Sequence, residues 1–452
     1  MLLIKVTAIF GLLAGITAAV PTSPKTRRDY GHQSVIYWGQ NGGGTIENND
    51  LSTYCTPDSG IDIIILAFLY QFGNGNTIPS GTIGQSCSIN NAGHADNCEA
   101  LGAAISKCQS NGVTILLSLG GAVGAYSLTS SAEATSIGNY LWAAYGNSGR
   151  VTSVARPFGS AFVNGFDFDL ERNAGNEFYA DMIKALRANF QTDPTTKYYI
   201  TGAPQCPIPE PNMGIVVESS QFDYLWPQFY NNNNYKVRPR LCPNQYPCAL
   251  PVNGNAPFNF DNWLNYTSGT PSADAKVFIG VPAALLGANG SPSGETYYAE
   301  PRQLANIVAG VRQATRFGGI MMWAAGFSDS NVNDGCTFAQ QARAILDTGS
   351  PCSNGPLMRA SGSPIYTVTV MPTMSVSPAP TVLATPLTTP TPSAPPVPPE
   401  PASNGPVTNG TVPQWQQLTS RSQCGGFGYT GPTECEAPYK CVSVGEWWSH
   451  CA

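Results

Sequence analysis

The sequence predicts an α/β protein: a (β/α)8 TIM barrel, followed by a Pro/Ser/Thr-rich linker and a small disulfide-stapled β module. Three observations predict it. Eight apolar, β-rich runs recur within a long globular part, helix-like segments fill several gaps between them, and the composition changes sharply near Gly355.

The elements follow in chain order. Lys5, an apolar run from Val6 to Ile16 and then Thr17-Ala18-Ala19 read as a signal peptide over residues 1–19. The run is too short to span a membrane. "KTRR", Lys25 to Arg28, suggests a propeptide ending at 28. The barrel is expected over 29–354. Its strands are "SVIYWGQ" (34–40), "IDIIILAFLY" (61–70), "VTILLSLGG" (113–121), "AFVNGFDFDLE" (161–171), "YYITGAPQ" (198–205), "DYLWPQFYN" (223–231), "KVFIGVP" (276–282) and "GGIMMWAAG" (318–326). Helices are predicted over 177–190 and 300–317. A doubly wound open sheet is the competing fold, but no phosphate-binding glycine loop follows the first strand; "GGGT" at Gly42 reads only as a flexible loop. Residues 355–413, with "TPLTTPTPSAPPVPPEPAS", form an extended linker suited to O-glycosylation. Residues 414–452 are the cysteine-rich module.

The net charge of −6 and the lack of basic clusters exclude nucleic acid as the expected partner. No later stretch is long and apolar enough to span a membrane. The protein is therefore expected to be secreted, extracellular or in a cell wall, with most of its 13 cysteines paired. A monomer is expected. Sequons occur at Asn265 and Asn409.

The segment "NGFDFDLE", Asn164 to Glu171, places Asp167, Asp169 and Glu171 at every second position, with Phe166, Phe168 and Leu170 between them. On a strand these sets lie on opposite faces. In a barrel the acids would point inward and the apolar set would pack on helices. An amphipathic strand with solvated acids is the bland alternative. Only 11% of the chain is charged, so three acids together are unusual for it. Such crowding should keep at least one of them protonated near neutral pH. Barrel active sites collect at the C-terminal strand ends. Glu171 closes the fourth strand, Tyr230 the sixth, Trp323 lies late in the eighth and Gln40 follows the first.

His32, His94 and His450 end no strand, so a histidine-based nucleophilic mechanism lacks its base. No HExxH or paired Cys-x-x-Cys motif suggests a metal, and no cofactor is implied. Carboxylates with aromatics remain, the equipment of glycosidic-bond cleavage. Ordinary retaining enzymes hold two carboxylates about 5 Å apart on either side of the bond. Residues two apart on one strand are roughly 6–7 Å apart but on the same side. One could protonate the leaving oxygen; the nucleophile must come from elsewhere.

"NGFDFDLE" resembles the D-G-x-D-x-D-x-E signature of glycoside hydrolase family 18, with Asn164 in place of the first Asp. "SLGG" (118–121), "YWGQN" (37–41), "APQCP" (203–207), "QFYNN" (228–232) and Trp323 are similar to its class III, hevamine-like chitinases. The spacing of Cys424, Cys435, Cys441 and Cys451 with "QCGGFGYTGPTEC" resembles a fungal-type family 1 carbohydrate-binding module. The resemblance implies hydrolysis of chitin and chito-oligosaccharides by a substrate-assisted, retaining mechanism. Glu171 would be general acid and then base. Asp169 would orient the acetamido group, Asp167 would share a proton with Asp169, and Tyr230 would bind the acetamido oxygen. Tyr37, Gln40, Phe68, Gln228 and Trp323 would contact substrate. Asn164 would support the barrel floor, with activity retained. In the module, Trp447, Trp448 and Trp415 would form a flat binding face for chitin or cellulose. The implied disulfides are Cys55–Cys108, Cys87–Cys98, Cys206 with Cys242 or Cys248, Cys336–Cys352, Cys424–Cys441 and Cys435–Cys451. A lectin or inhibitor on the same barrel, and an endo-N-acetylglucosaminidase acting on glycoproteins, are the competing functions.

Overall fold

Gln33–Trp38 forms strand β1, and Val35 to Trp38 are all buried. Continuous burial is what a parallel strand covered on both faces requires. Seven more barrel strands follow: Ile63–Gly73 (β2), Thr114–Gly120 (β3), Gly165–Asp169 (β4), Tyr199–Gly202 (β5), Tyr224–Leu225 (β6), Lys276–Pro282 (β7) and Phe317–Trp323 (β8). Neighbours in chain order pair in parallel. The ring closes where β8 meets β1, from Gln33↔Gly319 to Ile36↔Met322. This is the predicted barrel. The computed structural model describes residues 31–40, 47–149, 153–232, 248–252, 257–288, 294–353, 423–425, 434–435, 437–445 and 448–451. They fall into two units, one within Met1–Ile365 and one within Tyr366–Ala452. The leader, the linker, Asn409, Trp415 and Trp447 lie outside them.

Helices follow most strands: Glu99–Ser110 (α1), Ser131–Tyr145 (α2), Tyr179–Phe190 (α3), Gly214–Ser219 (α4), Phe260–Ser268 (α5), Pro301–Val311 (α6), Ala325–Ser330 (α7) and Phe338–Thr348 (α8). Some of their starts carry polar caps. Ser130 Oγ accepts from the Glu133 amide at the head of α2, and Thr337 with Gln340 forms a reciprocal capping box on α8. Between β1 and β2 the described residues hold only a 3₁₀ turn, Leu51–Cys55, capped by Asp50. The helix predicted over 300–317 stops at Val311, because Phe317 is already taken into β8. The sixth strand is the largest departure. Pro227 has no N–H to offer a ladder, so β6 ends at Leu225 and the chain continues through single bridges from Gln228 to Gln205 and Gly280.

The alternation in "NGFDFDLE" is an inside–outside alternation. Asp167 and Asp169 are buried inside the barrel. Phe166 and Phe168 point out onto α3, meeting Phe190 and Tyr179 at ring centroids 6.4 and 6.2 Å apart. Burying two such rings contributes roughly 2–3 kcal/mol each, enough to fix the register that turns the acids inward.

Disulfides join Cys55 to Cys108, Cys87 to Cys98, Cys206 to Cys248 and Cys336 to Cys352. Cys248 is thus the partner of Cys206; Cys242 lies outside the described residues. The C-terminal unit holds three antiparallel strands, Gln423–Gly425, Trp448–Cys451 and Cys441–Gly445, in that spatial order. Cys435 and Cys441 are disulfide-bonded; the side chains of Cys424, Cys451 and Trp448 lie outside the described residues. No helix among the described residues is long and apolar enough to cross a membrane.

Candidate active site

Asp167 sits deepest on β4. Its Oδ2 accepts hydroxyls from Tyr37 at 2.7 Å and Ser118 at 2.6 Å, and its Oδ1 accepts that of Thr201 at 2.7 Å. Trp226 Nε1 in turn donates to Tyr37 Oη at 3.1 Å. Burial pushes the Asp167 carboxyl up, while its three hydroxyl donors oppose that rise by stabilising the charged form.

Asp169 lies one level higher. Burial, then the charges of Glu171 and Asp167, push its carboxyl well above the usual range. A hydrogen bond joins it to Glu171, and that bond raises Asp169 and lowers Glu171. Three hydroxyls already occupy Asp167, so Asp169 turns outward. Glu171, two residues past the end of β4, is raised by burial and lowered by its bonds from Gln228 and Asp169. The Gln228 amide straddles the pair, donating to Asp169 Oδ1 at 3.1 Å, Glu171 Oε1 at 3.3 Å and the Ala203 carbonyl at 3.1 Å.

These groups open on a cleft of about 420 Å³ at the C-terminal ends of the strands. Asp169 and Glu171 are the two acids among the described residues that line it. Tyr37, Phe68 and Trp323 form its aromatic floor, with centroids 5.5–5.9 Å apart. Tyr230 stands in the wall, five residues beyond β6, and burial with the nearby acids pushes its phenol up. Phe68 and Trp323 are shared with an adjoining groove that Gln40 lines. The Gln40 amide itself donates to the Ala67 carbonyl at 3.2 Å.

Several contributors escaped the sequence reading. Thr201 could have been found, because it sits directly across the β4–β5 ladder from Asp167. Asn232, almost fully buried, donates to Gln205 Oε1 at 2.7 Å, the Tyr230 carbonyl at 2.8 Å and the Gln228 carbonyl at 3.1 Å, so it holds the segment that carries both side chains. Glu210, pushed up to about 7 by burial, accepts the amides of Gln205, Asn212 and Met213 behind the cleft wall. Asp329, also raised by burial, accepts the Tyr54 hydroxyl on the barrel's flank. Asn164 lies at the opposite end of β4, where its Oδ1 accepts Gln109 Nε2 and the Ile115 amide at 2.9 and 3.0 Å. Among the described residues no cluster of His, Cys, Asp and Glu could hold a metal.

Residues 33–296 match the family described as Glycosyl hydrolases family 18. The chain belongs to this family. Residues 421–448 of this family 18 chain match a second family, described as the fungal cellulose binding domain. The chain is 59% identical over 444 residues to "Endochitinase 2" of Metarhizium anisopliae, covering 97% of each. It is 35% identical over 293 residues to "Acidic endochitinase" of Cicer arietinum, covering 64% of this chain and 85% of that one. Among solved structures, a chitinase from Ipomoea carnea matches with a TM-score of 0.54 and 28% identity, covering 70% of this chain and 99% of that one. The xylanase and alpha-amylase inhibitor protein XAIP-II from Scadoxus multiflorus matches with a TM-score of 0.51 and 27% identity, covering 70% and 98%. The fold is thus similar both to that of a chitinase and to that of an inhibitor protein, so fold alone does not give the function.

Proposed function

We propose that this family 18 glycoside hydrolase is a secreted chitinase that cuts β-1,4-linked N-acetylglucosamine polymer with retention, using the substrate's own acetamido group as nucleophile. The observation that carries the reading is the hydrogen-bonded Asp169–Glu171 pair on one wall of a cleft whose other described lining residues supply no opposing carboxylate. A retaining displacement still needs a nucleophile on the far side, and the substrate can bring it.

The acetamide N–H would donate to Asp169, favouring its charged form and leaving the shared proton on Glu171. Glu171 gives that proton to the glycosidic oxygen as the bond to the anomeric carbon breaks. The acetamido oxygen attacks that carbon and closes an oxazolinium ring. Asp169 balances the developing positive charge, and the Tyr230 hydroxyl donates to the acetamido oxygen. Glu171, now a carboxylate, takes a proton from water, which opens the ring from the face the leaving group vacated. The aromatic floor supports the sugar ring through stacking.

Trp447, Trp448 and Trp415 would hold the enzyme to a solid polymer, chitin or cellulose. The apolar run Val6–Ile16 supports export, and Asn265, exposed on α5, is open to glycosylation. Glu171, Asp169 and Tyr230 together favour the enzyme over a sugar-binding or inhibitory barrel. The decisive experiment is digestion of colloidal chitin with the first-formed anomer assigned by NMR. The β anomer of soluble oligomers is expected. The α anomer rules out the substrate-assisted route, and glycan release from a glycoprotein without attack on chitin rules out the substrate.

A further inference from the structure

The β3–β4 ladder ends in an unusual way at the catalytic rim. Regular pairing runs from Leu117↔Phe166 to Gly120↔Asp169, and the Gly121 amide then donates to the Asp169 carbonyl at 2.7 Å. In a parallel ladder the next bond would run from the Glu171 amide to the Gly121 carbonyl. It is replaced by two. The Glu171 amide donates to Tyr126 Oη at 2.9 Å, and Tyr126 Oη donates to the Gly121 carbonyl at 2.8 Å. A phenol hydroxyl is spliced into the ladder as a spacer.

Tyr126 is well placed to act as a fixed part. Its segment, Ala125–Ser127, pairs in parallel with Gln71–Gly73 of β2. Its ring stacks on Phe72 at 5.5 Å with 15° between planes, and it is almost fully buried. The strands can approach this closely just below the splice because residue 120 is a glycine in the left-handed region, where a methyl would strike the Asp169 carbonyl.

We propose that Tyr126 is the positioning residue of the general acid: its hydroxyl holds β3 and β4 apart by one spacer at the rim and sets where the Glu171 carboxyl stands over the cleft. The proposal rests on Glu171 being the acid. Without the hydroxyl, the Glu171 amide and the Gly121 carbonyl either stay unpaired or close on each other, and either change displaces Glu171. A displacement of about 1 Å near reacting atoms can cost on the order of 100-fold in rate.

The test is Tyr126→Phe assayed on two substrates: an unmodified chito-oligosaccharide, whose leaving sugar needs a proton, and a 4-nitrophenyl chito-oligoside, whose leaving phenolate needs little. Glu171→Gln is run alongside. The expected result is a fall in kcat of roughly 10- to 100-fold on the sugar linkage, a much smaller fall on the aryl substrate, and little change in KM on either. Equal losses on both substrates, or no loss, overturn the proposal. If Glu171→Gln itself shows no dependence on the leaving group, the acid assignment has failed. If it shows that dependence and Tyr126→Phe does not, only the positioning role has failed. Should Tyr126→Phe not fold, as judged by circular dichroism, Phe72→Leu takes its place. Loosening the stacked ring should give the same leaving-group pattern in weaker form, and equal loss on both substrates overturns the proposal there too.

Discussion

Replacing Gln228 with Leu removes one amide that serves two acids. Its Nε2 donates to Glu171 Oε1 at 3.3 Å and Asp169 Oδ1 at 3.1 Å. A donor stabilises the charged form, so Gln228 lowers the carboxyls it touches, and the Glu171 shift shows that sign. Taking it away raises both members of the pair. Hydrogen bonds to charged groups are worth about 1.5–3 kcal/mol, and a contact at 3.3 Å belongs at the lower end. About 1.4 kcal/mol corresponds to one pH unit, so the acid should keep its proton to a pH about one unit higher. The assay is kcat/KM for a soluble chito-oligosaccharide across pH. The basic limb of the profile should move up by about one unit, while kcat at the optimum falls by roughly 10-fold through lost orientation. A basic limb that stays in place or moves down refutes the assignment of Glu171 as the acid under Gln228's control.

Glu171→Gln should cost roughly 10²–10⁴-fold in turnover while oligosaccharide binding, followed by calorimetry, persists. Partly deacetylated chitin should resist cleavage wherever glucosamine would have to supply the nucleophile, and sequencing of the products would find N-acetylglucosamine at their newly formed reducing ends. Deleting residues 355–452 should leave kcat on soluble oligomers unchanged and lower the rate on insoluble chitin, because the tether raises local concentration at a surface. Trp447→Ala combined with Trp448→Ala should reproduce that loss in the same two assays.

The eight strands were legible because each is a run of apolar residues long enough to be buried on both faces, and strand parity alone turned Asp167 and Asp169 inward. The end of the sixth strand was obscured because "DYLWPQFYN" reads as continuous hydrophobicity; Pro227 interrupts the ladder while the chain keeps its direction. The surroundings of Asp167 were hidden for a related reason. Sequence shows three acids in a row but not the hydroxyls of Tyr37, Ser118 and Thr201, which come from three other strands to occupy Asp167. Tyr126 left no strand-end signal, since it enters the rim from a three-residue strand, Ala125–Ser127, outside the eight of the barrel. Cys248 could be distinguished from Cys242 only by the bond it forms with Cys206.

The buried acids of this barrel have a consequence for folding itself. Asp167, Asp169, Glu171, Glu210 and Asp329 are all raised, each chiefly by burial. Folding therefore draws protons from solution at pH values between the unfolded and folded values of these groups. A raised carboxyl contributes stability that is complete below its unfolded value and is lost as pH rises through its folded one. For Glu210 that window runs from 4.5 to about 7. Asp193 works in the opposite sense, held low by the Thr195 and Tyr198 hydroxyls, and acts only in stronger acid. Mild acidification from pH 7 toward 5 should thus raise the melting temperature of the barrel, and refolding in weak buffer should make the medium more alkaline. Within that window the folded chain binds protons more tightly than the unfolded one, which makes the proton a ligand of the native state.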